Sequence, residues 1–316
     1  MKVLAAAVLL GLVLAGGART RAQQIQPVGD LPPRPVFRST TALVSLNVTV
    51  QDRSARFVTG LQPTDFAVYE DGIKQEVRFF ESSAVPLDLI VLLDTSSSMS
   101  DKIATVHEAA AGFLATLRPI DRGAVVAFAD TVAILQPLTS DRAALDRAVR
   151  STVARGKTTL NTAVYVALKQ FGARARTTAA TRRQAIVLLS DGADTASPIG
   201  LDDVLRLARG SGVSVYTVSL QAAEAPAVNA DTDASDRALR TLARETGGAS
   251  YFPKPADLKS VYRAIATEVA NQYSIGYVPV DERDDGRFRR IVVQVLTGNA
   301  LRSRTRLGYV SVSEGR

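Results

Sequence analysis

The chain of 316 residues contains no cysteine. No disulfide can brace the fold, no lipid can be attached through a cysteine, and no cysteine nucleophile is available, so stability must come from packed cores. Histidine is nearly as scarce. His107 stands alone, beside the apolar stripe of a predicted helix, where a packed or half-buried ring is expected rather than a general base. No G-x-S-x-G string occurs, and a metal hydrolase needs several His or carboxylate ligands plus a positioned base. Asp130 and Asp194, the carboxylates weighed for that role, read as turn or rim positions, and the chain is expected not to be an enzyme.

Long apolar runs are also few. Met1-Lys2, the apolar stretch 3–14 and the small residues Ala15-Gly16-Gly17-Ala18 read as a secretory signal peptide over 1–22, cleaved after Ala18 or Ala22. A membrane anchor is the alternative, but the stretch is shorter than the about 20 residues a spanning helix needs. No later segment reads as a membrane span, and the expected location is secreted or periplasmic. Cationic residues outnumber anionic ones by 38 to 31, a formal charge of +7. They are scattered and form no aromatic-interleaved cluster, so a solvated basic surface is expected and nucleic acid is not an expected partner. Attraction to acidic partners or envelope polymers stays open.

Residues 23–37, with Pro32-Pro33-Arg34-Pro35, read as a flexible leader. The alternation in 42–50 predicts a half-buried strand, and 66–70 and 73–80 predict two more around the hairpin signal Asp71-Gly72, making 38–85 a small β unit. Strands are expected again at 273–278, 288–296 and 301–310, within 272–316. Both end segments are expected to pair into one β-sandwich into which 86–271 is inserted; separate N- and C-terminal β units are the competing arrangement. From 87 to 271 strand and helix alternate: strands at 87–93, 123–129, 185–190 and 213–220, helices at 101–117, 141–153, 162–171, 201–209, 238–245 and 258–270, and a surface loop at 222–236. The fold class is α/β: a doubly wound, mainly parallel sheet flanked by helices, with a smaller β-sandwich-like domain from the chain ends.

The run 87–93 is almost continuously apolar, as suits a central parallel strand, and ends in Asp94-Thr95-Ser96-Ser97-Ser98. Asp94, Ser96 and Ser98 can converge on one hard cation at the strand end. Alone, D-x-S-x-S reads equally well as an N-cap cluster for the following helix. Gly156-Lys157-Thr158 invites a phosphate-loop reading, but Ser151 stands where the first glycine belongs and 145–153 looks helical, so nucleotide binding is not expected. A second buried run ends in Ser190-Asp191-Gly192.

In this order, D-x-S-x-S, G-x-T-x-L over Gly156–Leu160 and a strand ending S-D-G resemble the von Willebrand factor type A domain and its metal-ion-dependent adhesion site. The resemblance implies a Mg²⁺ or Mn²⁺ site of Asp94, Ser96, Ser98, Thr158 and Asp191, with Thr159 the fallback for Thr158. It also implies a protein partner whose Asp or Glu side chain completes the shell. Lys157, beside Thr158, is a residue that could lower metal affinity. An assembly subunit acting through its β-sandwich is the alternative, and a metal-assisted hydrolase the least supported. Asp65-Phe66-Ala67-Val68-Tyr69-Glu70-Asp71-Gly72, Tyr273-Ser274-Ile275-Gly276-Tyr277 and Arg304-Thr305-Arg306-Leu307-Gly308-Tyr309 resemble a group of exported, acidobacterial-type members. That group's opening segment matches less closely, because Ser54-Ala55-Arg56 replaces a glycine turn. Arg302, Arg304 and Arg306 are expected to face solvent on one side of a strand, and Tyr273, Tyr277 and Tyr309 to form sandwich core and rim.

Overall fold

The computed structural model describes residues 43–82, 85–175, 182–220, 230–281, 283, 285–298 and 301–311. The predicted signal peptide and leader lie outside the described residues. The chain opens with β1 (Val44–Gln51), β2 (Phe66–Glu70), β3 (Ile73–Gln75) and β4 (Val77–Glu81). It then runs through β5 (Leu87–Asp94), α1 (Ile103–Leu114), β6 (Arg122–Phe128), β7 (Val132–Thr139), α2 (Arg142–Arg150), α3 (Leu160–Ala175) and β8 (Arg183–Ser190). Next come α4 (Leu201–Ser211), β9 (Ser214–Ser219), α5 (Ala230–Thr246), β10 (Ser250–Tyr251) and α6 (Leu258–Ala270). Four strands close the described chain: β11 (Tyr273–Tyr277), β12 (Phe288–Val295), β13 (Arg302–Arg304) and β14 (Gly308–Val310).

The central sheet has six strands in the order β10-β9-β8-β5-β6-β7, all parallel except the edge strand β7. Every residue of β5 is buried, because helices cover both faces of the sheet. Leu87, Leu89, Val91 and Leu93 point into a core shared with α1, α2 and α6, while Ile90 and Leu92 point into one shared with α3, α4 and α5. Helix α1 shows why its sequence folds as it does: Val106, Ala109, Ala110, Phe113 and Leu114 recur at helical spacing and are the residues it buries. Helix α2 starts at Asp141, whose carboxylate accepts from the N–H groups of Ala143 and Ala144 at 2.9 and 3.0 Å.

The end segments build two antiparallel sheets, β13-β1-β11-β4 and β14-β12-β2-β3. In the first, Val44 lies opposite Tyr277 and Thr49 opposite Arg304; in the second, Phe66 lies opposite Val295. Leu46, Val48, Phe66, Val68, Tyr273, Ile275, Tyr277, Ile291 and Val293 share one buried core between them. Asp71 and Gly72, both at positive φ (48° and 84°), form the tight turn joining β2 to β3. Ala55 also has positive φ, 59°, in the turn that follows β1, where its N–H donates to the Asp52 carbonyl.

Four expectations are corrected. The predicted strand 73–80 is two, β3 and β4, placed in different sheets, and 301–310 is likewise β13 and β14. The predicted loop 222–236 is helical from Ala230, where α5 begins; 221–229 lie outside the described residues. Strand β7 was not anticipated. Arg304 and Arg306 are half-buried rather than solvent-facing: the Arg304 guanidinium pairs with Glu268, which is 2% exposed, and Arg306 lies 5.5 Å from the Tyr309 ring centroid. Arg302 is exposed.

Candidate metal centre

Asp94 is the last residue of β5, and Asp191 follows the last residue of the neighbouring parallel strand β8. The chain leaves β5 to one side for β6 and returns to its other side as β8. The carboxyl ends of β5 and β8 therefore flank a topological switch point, where open α/β sheets form their ligand crevice. Asp94 is fully buried; its Oδ1 accepts from the Ser96 N–H at 2.8 Å and its Oδ2 from the Ser190 hydroxyl at 2.5 Å. A short 3₁₀ turn, Ser97–Met99, then curls the chain. It leaves the Ser96 and Ser98 hydroxyls 3.0 Å apart, and Ser98 Oγ donates to Asp191 Oδ1 at 2.7 Å.

The loop carrying Thr158 is tied to both strand ends. Ser97 N–H donates to the Gly156 carbonyl at 3.0 Å, and Arg155 N–H to the Thr95 carbonyl at 2.7 Å. Thr158 N–H donates to Thr195 Oγ1 at 3.1 Å, while its carbonyl accepts from the N–H groups of Thr195 and Ala196. Those two residues belong to the segment that follows Asp191. Gly156 has φ of +81°, and the Asp130 carboxylate stands 2.2 Å from where a Cβ would be. The Thr159 hydroxyl donates to the Ala129 carbonyl at 2.8 Å, which commits the fallback threonine to the backbone. Asp130 accepts from Lys157 N–H at 2.9 Å, and Asp194 accepts from the N–H groups of Asn161 and Ser197, holding the start of α3.

Burial pushes the Asp94 carboxyl above its ordinary range; hydrogen bonds from Ser190 and Ser96 oppose that rise and the Asp191 charge adds to it. The residue sequence reasoning missed is Lys102. Its ammonium donates to Asp191 Oδ2 at 2.5 Å and to the Ser98 carbonyl at 3.2 Å, with the lysine side chain 15% and the aspartate 2% exposed. Lys157, the lysine singled out from sequence, is exposed. A lysine eight residues past Asp94 was visible, but its reach to Asp191 follows only once β8 is placed beside β5.

Two carboxylates and several hydroxyls make a hard oxygen donor set. An octahedral Mg²⁺ ion holds its oxygens at about 2.1 Å, so adjacent ligands sit about 3 Å apart. The 3.0 and 2.7 Å separations along Ser96, Ser98 and Asp191 are of that size. Among the described residues no three His, Asp or Glu side chains gather, so hydroxyls must form part of any such shell.

The sequence model of the von Willebrand factor type A domain matches residues 88–264, and the chain belongs to that family. Its members are generally protein-interaction modules. A UPF0353 protein of Mycobacterium leprae is 27% identical over 255 residues, 75% of this chain and 73% of the relative. A von Willebrand factor type A structure from Catenulispora acidiphila superposes with a TM-score of 0.50 at 14% identity, covering 88% of this chain and 76% of that one. Proximal thread matrix protein 1 from the mussel byssus, solved with a zinc-occupied adhesion motif, aligns with a TM-score of 0.48 at 14% identity over 63% of this chain and 49% of its own. Among the described residues no helix is long and apolar enough to cross a membrane.

Proposed function

We propose that the chain is an exported, non-enzymatic interaction module that grips an acidic side chain of a protein partner through a Mg²⁺ or Mn²⁺ ion. Asp94, Ser96, Ser98, Thr158 and Asp191 would hold the ion. When bound, it supplies a Lewis-acidic coordination position for a partner carboxylate. The rest is done by this chain's own residues. Asp94 is fixed by two donors at the strand end, Ser98 bridges Ser96 to Asp191, and the Thr158 loop is laced to the segments on either side. The observation that carries the reading is the convergence of one buried carboxylate and successive hydroxyls on Asp191 across two adjacent strand ends. Export rests on the first 22 residues as read from sequence. Asp130 and Asp194, the carboxylates considered for acid–base work, hold backbone N–H groups instead.

Calorimetric titration of the metal-stripped mature protein with Mg²⁺ and Mn²⁺ tests this. Saturable binding is expected in the wild type and none in Asp94→Ala, with the variant's circular dichroism unchanged. Equal binding by both proteins would remove Asp94 from the site.

A further inference from the structure

Lys102 occupies an unfavourable place for a lysine. It is the N-cap of α1, a position that favours Ser, Thr, Asp or Asn, and it sets a cation at the positive end of the helix dipole. Its side chain is nonetheless only 15% exposed and is drawn back over the preceding turn to Asp191 and the Ser98 carbonyl. The compensation lies in the pocket it enters. Asp94 and Asp191 are two carboxylates close enough to repel, one fully buried and the other 2% exposed at its side chain.

We infer that Lys102 is the resident counter-cation of the candidate metal site. Its ammonium holds the paired carboxylates together without a divalent ion, weakens the hold on such an ion, and biases the loaded site toward anions. This rests on the metal-binding reading above and assigns it a control residue. Formal charges show the trade. Asp94, Asp191 and Lys102 sum to one net negative charge, against two without the lysine. With a divalent cation the sum is one net positive charge rather than none, so an acidic partner meets a site that still carries positive charge. Some affinity for the ion is exchanged for attraction to the partner.

The test is calorimetry with Mn²⁺ on the wild type, Lys102→Met, Lys102→Gln and Lys102→Arg, paired with thermal melting in chelator. Lys102→Met is expected to bind Mn²⁺ roughly tenfold more tightly, the scale of one cation removed a few ångströms from a partly exposed divalent site. It should melt below the wild type in chelator and gain more from added Mn²⁺, while Lys102→Arg stays near the wild type. Lys102→Gln, which keeps a hydrogen-bond donor but no charge, serves if Lys102→Met does not fold. Saturable binding seen only in the uncharged variants would be the extreme form of the expected result. A wild-type isotherm lost in Asp94→Ala but unchanged or weakened in both uncharged variants would overturn the lysine inference alone. Absence of binding in all of them would overturn the metal reading and this inference with it.

Discussion

His107 is the only histidine, so its titration can be followed without assignment. The ring is half-buried on α1 with Nε2 2.7 Å from Thr152 Oγ1, and burial lowers its pKa, with the Arg150 charge adding to the fall. Its NMR titration midpoint should therefore lie below the unperturbed value of about 6.5. Between the folded and unfolded pKa values the unfolded chain binds more protons. The stabilising contribution is full above the unfolded value and is lost as pH falls from it through the folded pKa. A midpoint at or above the unperturbed value would refute this. The same scale shows what was legible in the site. Asp94, Ser96, Ser98 and Asp191 stand out because each apolar run ends abruptly in oxygen-bearing residues. Lys102 does not, because its partner is 89 positions away.

At the scale of elements, the loop after α2 turns at Gly156. Gly156 needs the left-handed region and leaves no room for a Cβ against Asp130, yet its carbonyl anchors the Ser97 turn. Gly156→Ala should cost about 1–2 kcal/mol of stability. It should also weaken Mn²⁺ binding relative to Gly172→Ala, an open helical position that serves as control. Equal isotherms for the two variants would contradict the loop's role. The buried strands β5 and β8 were readable because near-continuous apolar runs have few alternatives. Strand β7 was not: it is an exposed edge carrying Pro137, and its mixed exposure shows no clean alternation. The breaks in 73–80 and 301–310 were hidden for another reason. Gln75 pairs with Val68 in one sheet while Val77 pairs with Tyr277 in the other, and apolar periodicity does not record a change of sheet.

At the scale of the molecule, a buried polar knot joins the helical layer to the terminal sheets. Glu268 of α6 accepts from Tyr216 at 2.7 Å and Thr49 at 3.3 Å and pairs with Arg304, while Gln272 donates to Tyr216 and Thr49. Removing the cation leaves a carboxylate buried with, among the described residues, neutral hydrogen-bond partners. Arg304→Met should cost about 2 kcal/mol, discounted from the roughly 3–5 of a fully buried pair because Arg304 is 36% exposed. Adding Glu268→Gln should recover part of that loss. Urea denaturation measures both, and a single variant within about 0.5 kcal/mol of the wild type would contradict the assignment.

The pairing of β1 with β11 and β13 spans most of the described chain. Val44 meets Tyr277, and Gln51 meets Arg302, so β1 has no partner strand until almost the whole described chain has been made, whereas β2 finds β3 at once. The parallel sheet can close on contacts within 87–251, but the ends must wait, and their open edges stay available to other chains meanwhile. Of the described strands, the first to be synthesised is therefore among the last whose partner strands exist.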